Sequence, residues 1–225
     1  AGPNFYIGNN PSATGIYAPL RPGRSNTPFE RRDAFELAAE AMGRPLTPTE
    51  VSRYWTDKAM AFITGEPVKW LKLMGRKAVL LINRYEPPDS EDQYSFEEHS
   101  WLLRGLGWVL HLGVLAPVAA AGLVMSLRHR RELWPLYAVL ATVAAAVVLF
   151  YVFARYRFPI VPAMLPLAGL AVVEIVDRVR ARRWRGLIVP AGAAAVIAVP
   201  ANWPLFAARA DLSGTISNAG AAVAE

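Results

Sequence analysis

Arg155 and Arg157 stand one residue apart within Phe150 to Pro162, FYVFARYRFPIVP, where two apolar stretches meet in a hairpin. A guanidinium stays charged at any physiological pH and carries five donors in a planar fork that matches phosphate oxygens. An arginine near hydrocarbon costs roughly 2.5–3.5 kcal/mol on insertion scales, so a pair kept there needs a partner or a task. The chemistry these residues suit is binding of a lipid phosphate. A structural reading stands beside it: two arginines in a short loop can cap helix ends or reach surrounding head groups.

Other groups point to less. The three histidines, His99, His111 and His129, have no metal-ligand spacing, and His111, inside an apolar stretch, is expected to hydrogen-bond a neighbouring helix. Glu174 and Asp177 could suggest a proton path, but Arg178 and Arg180 are close enough in sequence to pair with them. The acids of Glu86-Pro87-Pro88-Asp89-Ser90-Glu91-Asp92 read as a solvated linker, with a cation site as the alternative. Neither a Gly-rich phosphate loop nor a Gly-x-Ser-x-Gly elbow occurs. No cofactor and no divalent cation are expected. The absence of cysteine excludes disulfides and thiolate metal sites.

The elements that must position these residues are helices, and the expected class is all-α: a polytopic helical membrane protein. Of 225 residues 54% are hydrophobic and 19% charged, and the apolar residues are segregated into long blocks. A net charge of +6 could suggest nucleic acid, but the arginine clusters flank apolar blocks, which fits anionic lipid head groups better, and no nucleic-acid partner is expected.

Residues 1–26 are rich in Gly, Pro, Asn and Ser and are expected to form a loop. Thr27-Pro28-Phe29-Glu30 and Thr47-Pro48-Thr49-Glu50 are two capping boxes with proline at the first helical position. They predict helices to about Met42, with Gly43 at C′, and to about Thr64, with Gly65 at C′. Val51, Tyr54, Trp55, Ala59, Phe62 and Ile63 give the second of these one packing face. A third helix runs from Pro67 to about Tyr85. Trp70, Leu71, Met74 and Ala78 share one face and Lys69, Lys72, Arg76 and Lys77 line the remainder, as in a helix on the bilayer surface; packing on its predecessors is the alternative.

Four apolar stretches follow: 105–127, 133–154, 158–173 and 186–208. A span needs about 20 residues, so the third must extend to about Val176 and take in Glu174. Pro117, Pro162, Pro166 and Pro200 are expected to kink these helices, and the small residues 119–122, 144–146 and 191–195 to let them approach closely. Trp101, Trp108, Trp134, Trp184 and Trp203 lie near span ends, as interfacial anchors do. The basic loops 128–131 and 178–185 are expected on the cytoplasmic side. Residues 1–100, the arginine hairpin and the C-terminus then fall on the periplasmic side, with the hairpin arginines opposite to the charge rule. The expected organisation is 1–100 as an outer-face segment, 101–208 as a four-helix transmembrane region and 209–225 as a tail.

In the order of its features the chain resembles the C-terminal half of bacterial GT-C superfamily membrane glycosyltransferases, in the family 39 or aminoarabinose-transferase-like branch related to protein O-mannosyltransferases. The resemblance is carried by Tyr6-Ile7-Gly8-Asn9-Asn10 with Gly15-Ile16-Tyr17, by Leu46-Thr47 to Glu50 followed by Ser52-Arg53-Tyr54-Trp55, by Pro67 to Lys77 running on to Glu86, and by Ala154-Arg155-Tyr156-Arg157-Phe158-Pro159 with Pro162. Asp211 to Glu225 resembles the opening helix of a tetratricopeptide repeat. The resemblance implies a multi-pass protein of the bacterial inner membrane and a polyprenyl-phosphate-linked sugar as donor. It also implies an acceptor at the outer face, with membrane lipids and other membrane subunits as partners. Arg155 and Arg157 would hold the leaving phosphate, Tyr156 would position sugar or lipid, and Lys77, Arg84 and Glu86 would be second candidates for the pocket wall. The family's catalytic acid lies in a first outer loop that has no counterpart here, so no catalytic residue is assigned and activity of these residues alone is not expected. The alternative is a non-catalytic membrane subunit that packs beside a larger complex.

Overall fold

A computed structural model of the chain describes residues 1–24, 27–87, 96–97 and 99–205. Among the described residues every regular element is helical. They are α1 (Gly2–Gly8), α2 (Thr27–Met42), α3 (Pro48–Gly65), α4 (Pro67–Ile82), α5 (Trp101–Gly107), α6 (Leu112–Ser126), α7 (Trp134–Leu149), α8 (Ala154–Arg157), α9 (Val161–Arg180) and α10 (Ile188–Asn202), with 3₁₀ turns at Leu127–His129, Phe158–Ile160 and Trp184–Leu187. The chain divides into two compact units. The first holds Ala1–Lys77 and Leu149–Tyr151, and the second Ala78–Val148 and Val152–Pro204. The expected tail and its repeat-like helix lie outside the described residues.

The first unit is a small helical core. Thr47 and Glu50 form the expected reciprocal capping box: the Glu50 N–H donates to Thr47 Oγ1, and the Thr47 N–H donates to Glu50 Oε2 at 2.8 Å. The Arg44 guanidinium and then the Thr47 bonds hold the exposed Glu50 carboxyl down at about 2. Val51, Trp55, Ala59 and Phe62 are buried along α3, and Trp55 Nε1 donates to the Ala34 carbonyl of α2 at 2.9 Å. Gly43 ends α2 at φ 68°, the left-handed C′ residue its type allows. Gly65 does not repeat this. It is the last residue of α3, Glu66 at φ −131° makes the break, and α4 begins at Pro67.

The opening residues are not the expected loop, because α1 forms there. Pro3 sits in its first turn, and Asn9 and Asn10 cap its end by donating to the carbonyls of Phe5, Tyr6 and Ile7 at 2.9–3.0 Å. The Gly2 N–H donates to Ser52 Oγ, and a Cβ at Gly2 would overlap the Ser52 carbonyl, so α1 lies tight on α3. In α4 the buried side chains are Leu73, Lys77, Leu80 and Leu81. The face drawn from Leu71 and Ala78 is turned outward: Val68 and Leu71 are 64% and 61% exposed, beside exposed Lys69 and Lys72. That arrangement fits a surface helix with its apolar side uncovered.

In the second unit three helical stretches are long and apolar enough to cross a membrane: Trp101–His129, Ala154–Arg180 and Trp184–Asn202. The stretch expected as a fourth forms α7, of 16 residues and about 24 Å at 1.5 Å per residue. The first stretch is broken at residues 108–111, between α5 and α6. α6 is central and packs on both α9 and α10. Its residues Ala116, Ala119, Ala121 and Gly122 are buried, and a Cβ at Gly122 would overlap the Leu167 carbonyl of α9. Of the other small-residue runs, Ala194 of α10 packs on the Ala121, Met125 and Ala171 cluster, whereas Ala145 and Ala146 of α7 are exposed. Pro162 sits in the first turn of α9, so only Pro117, Pro166 and Pro200 are internal. At the basic end Glu174 pairs with Arg178 at 3.0 Å, as expected, and with Arg128. All five tryptophans near the helix ends are exposed.

Gly122→Ala is expected to push α6 from α9 and to lower the melting temperature in detergent micelles, with an overpacking cost of about 1–3 kcal/mol. Gly169→Ala, which meets no heavy atom within 4 Å, serves as the control and should melt like the parent.

Candidate functional site

Residues 83–87 leave α4 three residues earlier than expected and become the hub of the second unit. Asn83 Nδ2 donates to the carbonyls of Pro200 and Trp203 at 2.9 and 3.0 Å, and the Arg84 N–H donates to the Ala201 carbonyl at 2.7 Å. These bonds satisfy acceptors that the end of α10 cannot satisfy within the helix. Asn83 Oδ1 in turn accepts from the Tyr85 N–H at 2.9 Å, and the Ala154 N–H donates to the Pro87 carbonyl at 3.3 Å.

Arg157 closes the hub. Its Nη1 donates to the carbonyls of Leu80 and Asn83 at 2.7 and 2.9 Å, and its Nη2 to the Tyr85 carbonyl at 2.6 Å. Nε and Nη2 reach Glu86 Oε2 at 3.2 and 2.6 Å. Five contacts run to four acceptor atoms, with Glu86 Oε2 taking two, and the residue is 1% exposed, so no donor remains for a phosphate in this arrangement. Of the two readings offered for this arginine, the geometry is that of a helix cap. Glu86, expected in a wet linker, is instead its half-buried counter-ion.

Arg155 is placed differently. It is exposed, its guanidinium lies 5.3 Å from the Tyr156 ring centroid, and its side chain lines a cavity of about 740 Å³. The walls are Val109 to Leu112, Val114, Leu115 and Val118 on one side, and Ala154, Phe158, Val161, Leu165 and Ala168 on the other, with Glu86. Three lining residues carry polar side chains: Glu86, His111 and Arg155. The cavity is thus apolar along α6 and α9, with polar groups supplied by the hub, the α5–α6 break and the α8 hairpin. Tyr156 is exposed beside Phe153, with centroids 5.7 Å apart, and lines no part of the cavity. Arg84 is exposed and contributes its backbone to the hub. Among the described residues no three His, Asp or Glu side chains gather as metal ligands.

Lys77 belongs to the first unit and is 0% exposed. Its Nζ donates to Asn9 Oδ1 at 3.3 Å, an atom that also accepts from Trp70 Nε1 at 3.0 Å, while Asn9 Nδ2 donates to the carbonyls of Phe5 and Leu149. No carboxylate pairs with this ammonium among the described residues, and burial pushes it down to about 7.

Sequence reasoning passed over Asn83, Gly113 and Asn202, and named Asn9 only as part of a matching stretch. The signal for Asn202 was present: one amide in an otherwise apolar stretch, opposite a stretch holding a proline. Pro117 has no N–H for the Gly113 carbonyl, and Asn202 Nδ2 donates to that carbonyl at 2.9 Å. Asn83 offered only its place at a helix end, which does not single out one asparagine.

Among its described residues the chain is therefore all-helical, with three helices long and apolar enough to cross a membrane. Comparison with family models, with curated proteins and with solved structures finds no match for it.

Two outcomes are expected of the buried cations. Arg157→Met leaves three carbonyls and a carboxylate without their donor, and should lower stability by about 3–5 kcal/mol, read as a large drop in melting temperature. For Lys77 the folded-state value lies below the unfolded value of about 10.4. Between about 7 and 10.4 the unfolded chain holds the extra proton, so stability rises with pH through that window and is lowest below it. The melting temperature of the parent should climb from pH 7 to pH 9.5, and that of Lys77→Met should climb less.

Proposed function

We propose that this chain is part of an integral-membrane glycosyltransferase that moves a sugar from a polyprenyl-phosphate donor to an acceptor at the outer face of the bacterial inner membrane. In this reading the described cavity holds the lipid and Arg155 holds its phosphate. The observation that carries it is the cavity itself: an apolar trough of about 740 Å³ whose polar lining is Glu86, His111 and Arg155. An apolar trough alone would suit any hydrocarbon. A guanidinium on its wall selects an anionic head, and phosphate accepts its fork through two parallel charge-assisted bonds. Charge that develops on the leaving phosphate would be stabilised by the same group. Arg157 acts at one remove, holding the hairpin that presents Arg155.

The reading keeps four membrane passes, with α7 and its neighbouring residues as the fourth, and places the Arg155 hairpin on the periplasmic side by the charge of residues 128–131 and 178–185. The catalytic acid and the acceptor site are assigned to no residue of this chain. A non-catalytic subunit is the second reading. It is favoured by α7, where Val147 is the buried side chain and the remaining apolar surface suits partner helices.

The test is retention of farnesyl monophosphate by the chain in lipid nanodiscs. The parent should bind it, and Arg155→Ala should weaken binding about 10- to 100-fold, the size of one hydrogen bond to a charged group. Arg155→Lys should recover part of the loss. A parent chain that does not retain the probe would overturn the lipid-phosphate reading and leave the subunit reading.

A further inference from the structure

At the end of α6 and α9 away from the cavity, two arginine-rich loops are tied together. Glu174 of α9 receives Arg178 at 3.0 Å and also Arg128, which follows α6, while Arg178 Nη1 donates to the Gly186 carbonyl in the 3₁₀ turn before α10. One carboxylate thus fixes residues 127–131 beside residues 181–187. Six further arginines stand on this frame: Arg130 and Arg131 on the first loop, and Arg180, Arg182, Arg183 and Arg185 at and after the end of α9. All six are exposed, and none makes a side-chain hydrogen bond or ion pair with a described residue.

The second loop is built against a steric preference. α9 ends in a Schellman turn: the Arg183 N–H donates to the Arg178 carbonyl at 2.8 Å, and the Arg182 N–H to the Val179 carbonyl at 3.0 Å. That pattern puts Arg182 at C′ with φ 53°, alone among the described non-glycine residues in the left-handed region. Gly43 fills the same position at the end of α2, as glycine usually does, because a Cβ there crowds the following carbonyl. The attraction of a helix C-terminus for cations does not account for the arginine, since Arg178 and Arg180 already occupy the last turn. A strained position that carries an exposed guanidinium points to something the guanidinium meets. The surroundings give its class. Leu127, Ile188 and Val189 are exposed on the segments that carry the arginines, and Trp134 and Trp184 are exposed beside them, the arrangement of a membrane interface.

We propose that this basic end is a binding site for a lipid whose head group carries two phosphates, one met by Arg130 and Arg131 and the other by Arg182 and Arg183. The sequence predicts only a general attraction of the two loops to an anionic leaflet. The tie through Arg128, Glu174 and Arg178 adds to it by holding two pairs of guanidinium forks on neighbouring loops. A single phosphate is met by one or two such forks, so two pairs on a common frame suit two phosphates on one molecule. The acyl chains of that lipid lie against Leu127, Ile188 and Val189. The inference rests on the apolar helices crossing a bilayer. It stands apart from the cavity, and holds whether or not Arg155 binds a lipid phosphate.

The experiment measures lipid retention by the full chain in detergent micelles, read by native mass spectrometry. Its three probes are tetraoleoyl cardiolipin, with two phosphates, dioleoyl phosphatidylglycerol, with one, and dioleoyl phosphatidylcholine, with no net charge. At equal phosphate concentration the parent should retain cardiolipin about tenfold better than phosphatidylglycerol, and phosphatidylcholine least. Arg130→Gln with Arg131→Gln, and Arg182→Gln with Arg183→Gln, should each reduce cardiolipin retention about tenfold and leave phosphatidylcholine within about twofold of the parent. Arg182→Gly separates binding from folding. It relieves the left-handed backbone, so the melting temperature of the lipid-free chain should hold or rise while cardiolipin retention falls. Equal retention of cardiolipin and phosphatidylglycerol by the parent would reduce the loops to a general attraction and overturn the inference. So would retention that falls with Arg155→Ala but not with the loop variants, which places the lipid in the cavity. A parent that ignores cardiolipin but binds polyglutamate would also overturn it, in favour of an acidic protein partner.

Discussion

The bond set of Arg157 is the constraint on which the second unit depends. A buried guanidinium is tolerable only if its charge is compensated and its five donors are used. Here Glu86 meets the charge, and three carbonyls at the end of α4 and in the turn after it meet the remaining donors. The consequence is geometric. Leu80, Asn83, Tyr85 and Glu86 are drawn to one side chain, so the chain that leaves α4 is fixed within a few residues, and α8 with it. Arg155 inherits its position from a neighbour two residues away that is itself buried.

The same economy of polar groups runs through the helix ends. In a low-dielectric setting each backbone group freed by a proline or a helix terminus must be met from inside the protein. Pro117 frees the Gly113 carbonyl and Asn202 meets it; the end of α10 frees three carbonyls, and Asn83 and Arg84 meet them. These repairs fall at one end of α6, α8 and α10, which is also where the cavity has its polar lining. A site built there gains rigid walls from bonds that the helices require in any case. The wide remainder of α6 and α9 has no such bonds and supplies the apolar part of the cavity.

Much of this architecture was legible in the sequence because it rests on local rules. The Thr47 to Glu50 box, the Gly43 cap, the apolar face of α3 and the small-residue seam at Ala119 to Gly122 each follow from a spacing of a few residues. The importance of Phe150 to Pro162 was legible too, from the cost of arginine beside hydrocarbon. The division of labour inside it was not, since Arg155 and Arg157 are chemically identical and only the fold decides which one turns inward. Glu86 misled for the same reason. Its neighbours in sequence are prolines and acids, and its partner lies 71 residues away. The α1 helix was hidden by turn-forming residues that here act as caps on a short helix, and α4 was rotated because its lysines were all counted as polar surface.

Lys77 shows what that rule about lysines misses, and why Arg157 is an arginine. Both residues are buried cations, each in its own unit. The guanidinium keeps its proton far above physiological pH, so burial forces the protein to surround it with acceptors. The amine has another course: with one amide oxygen as acceptor it lowers its proton affinity and sheds its charge near neutrality. Exchanging the two would fail in both places, since an amine at residue 157 could not hold three carbonyls and a carboxylate at once, and a guanidinium at residue 77 would stay charged with one acceptor to meet it. The types of the two side chains thus follow from the acceptors around them.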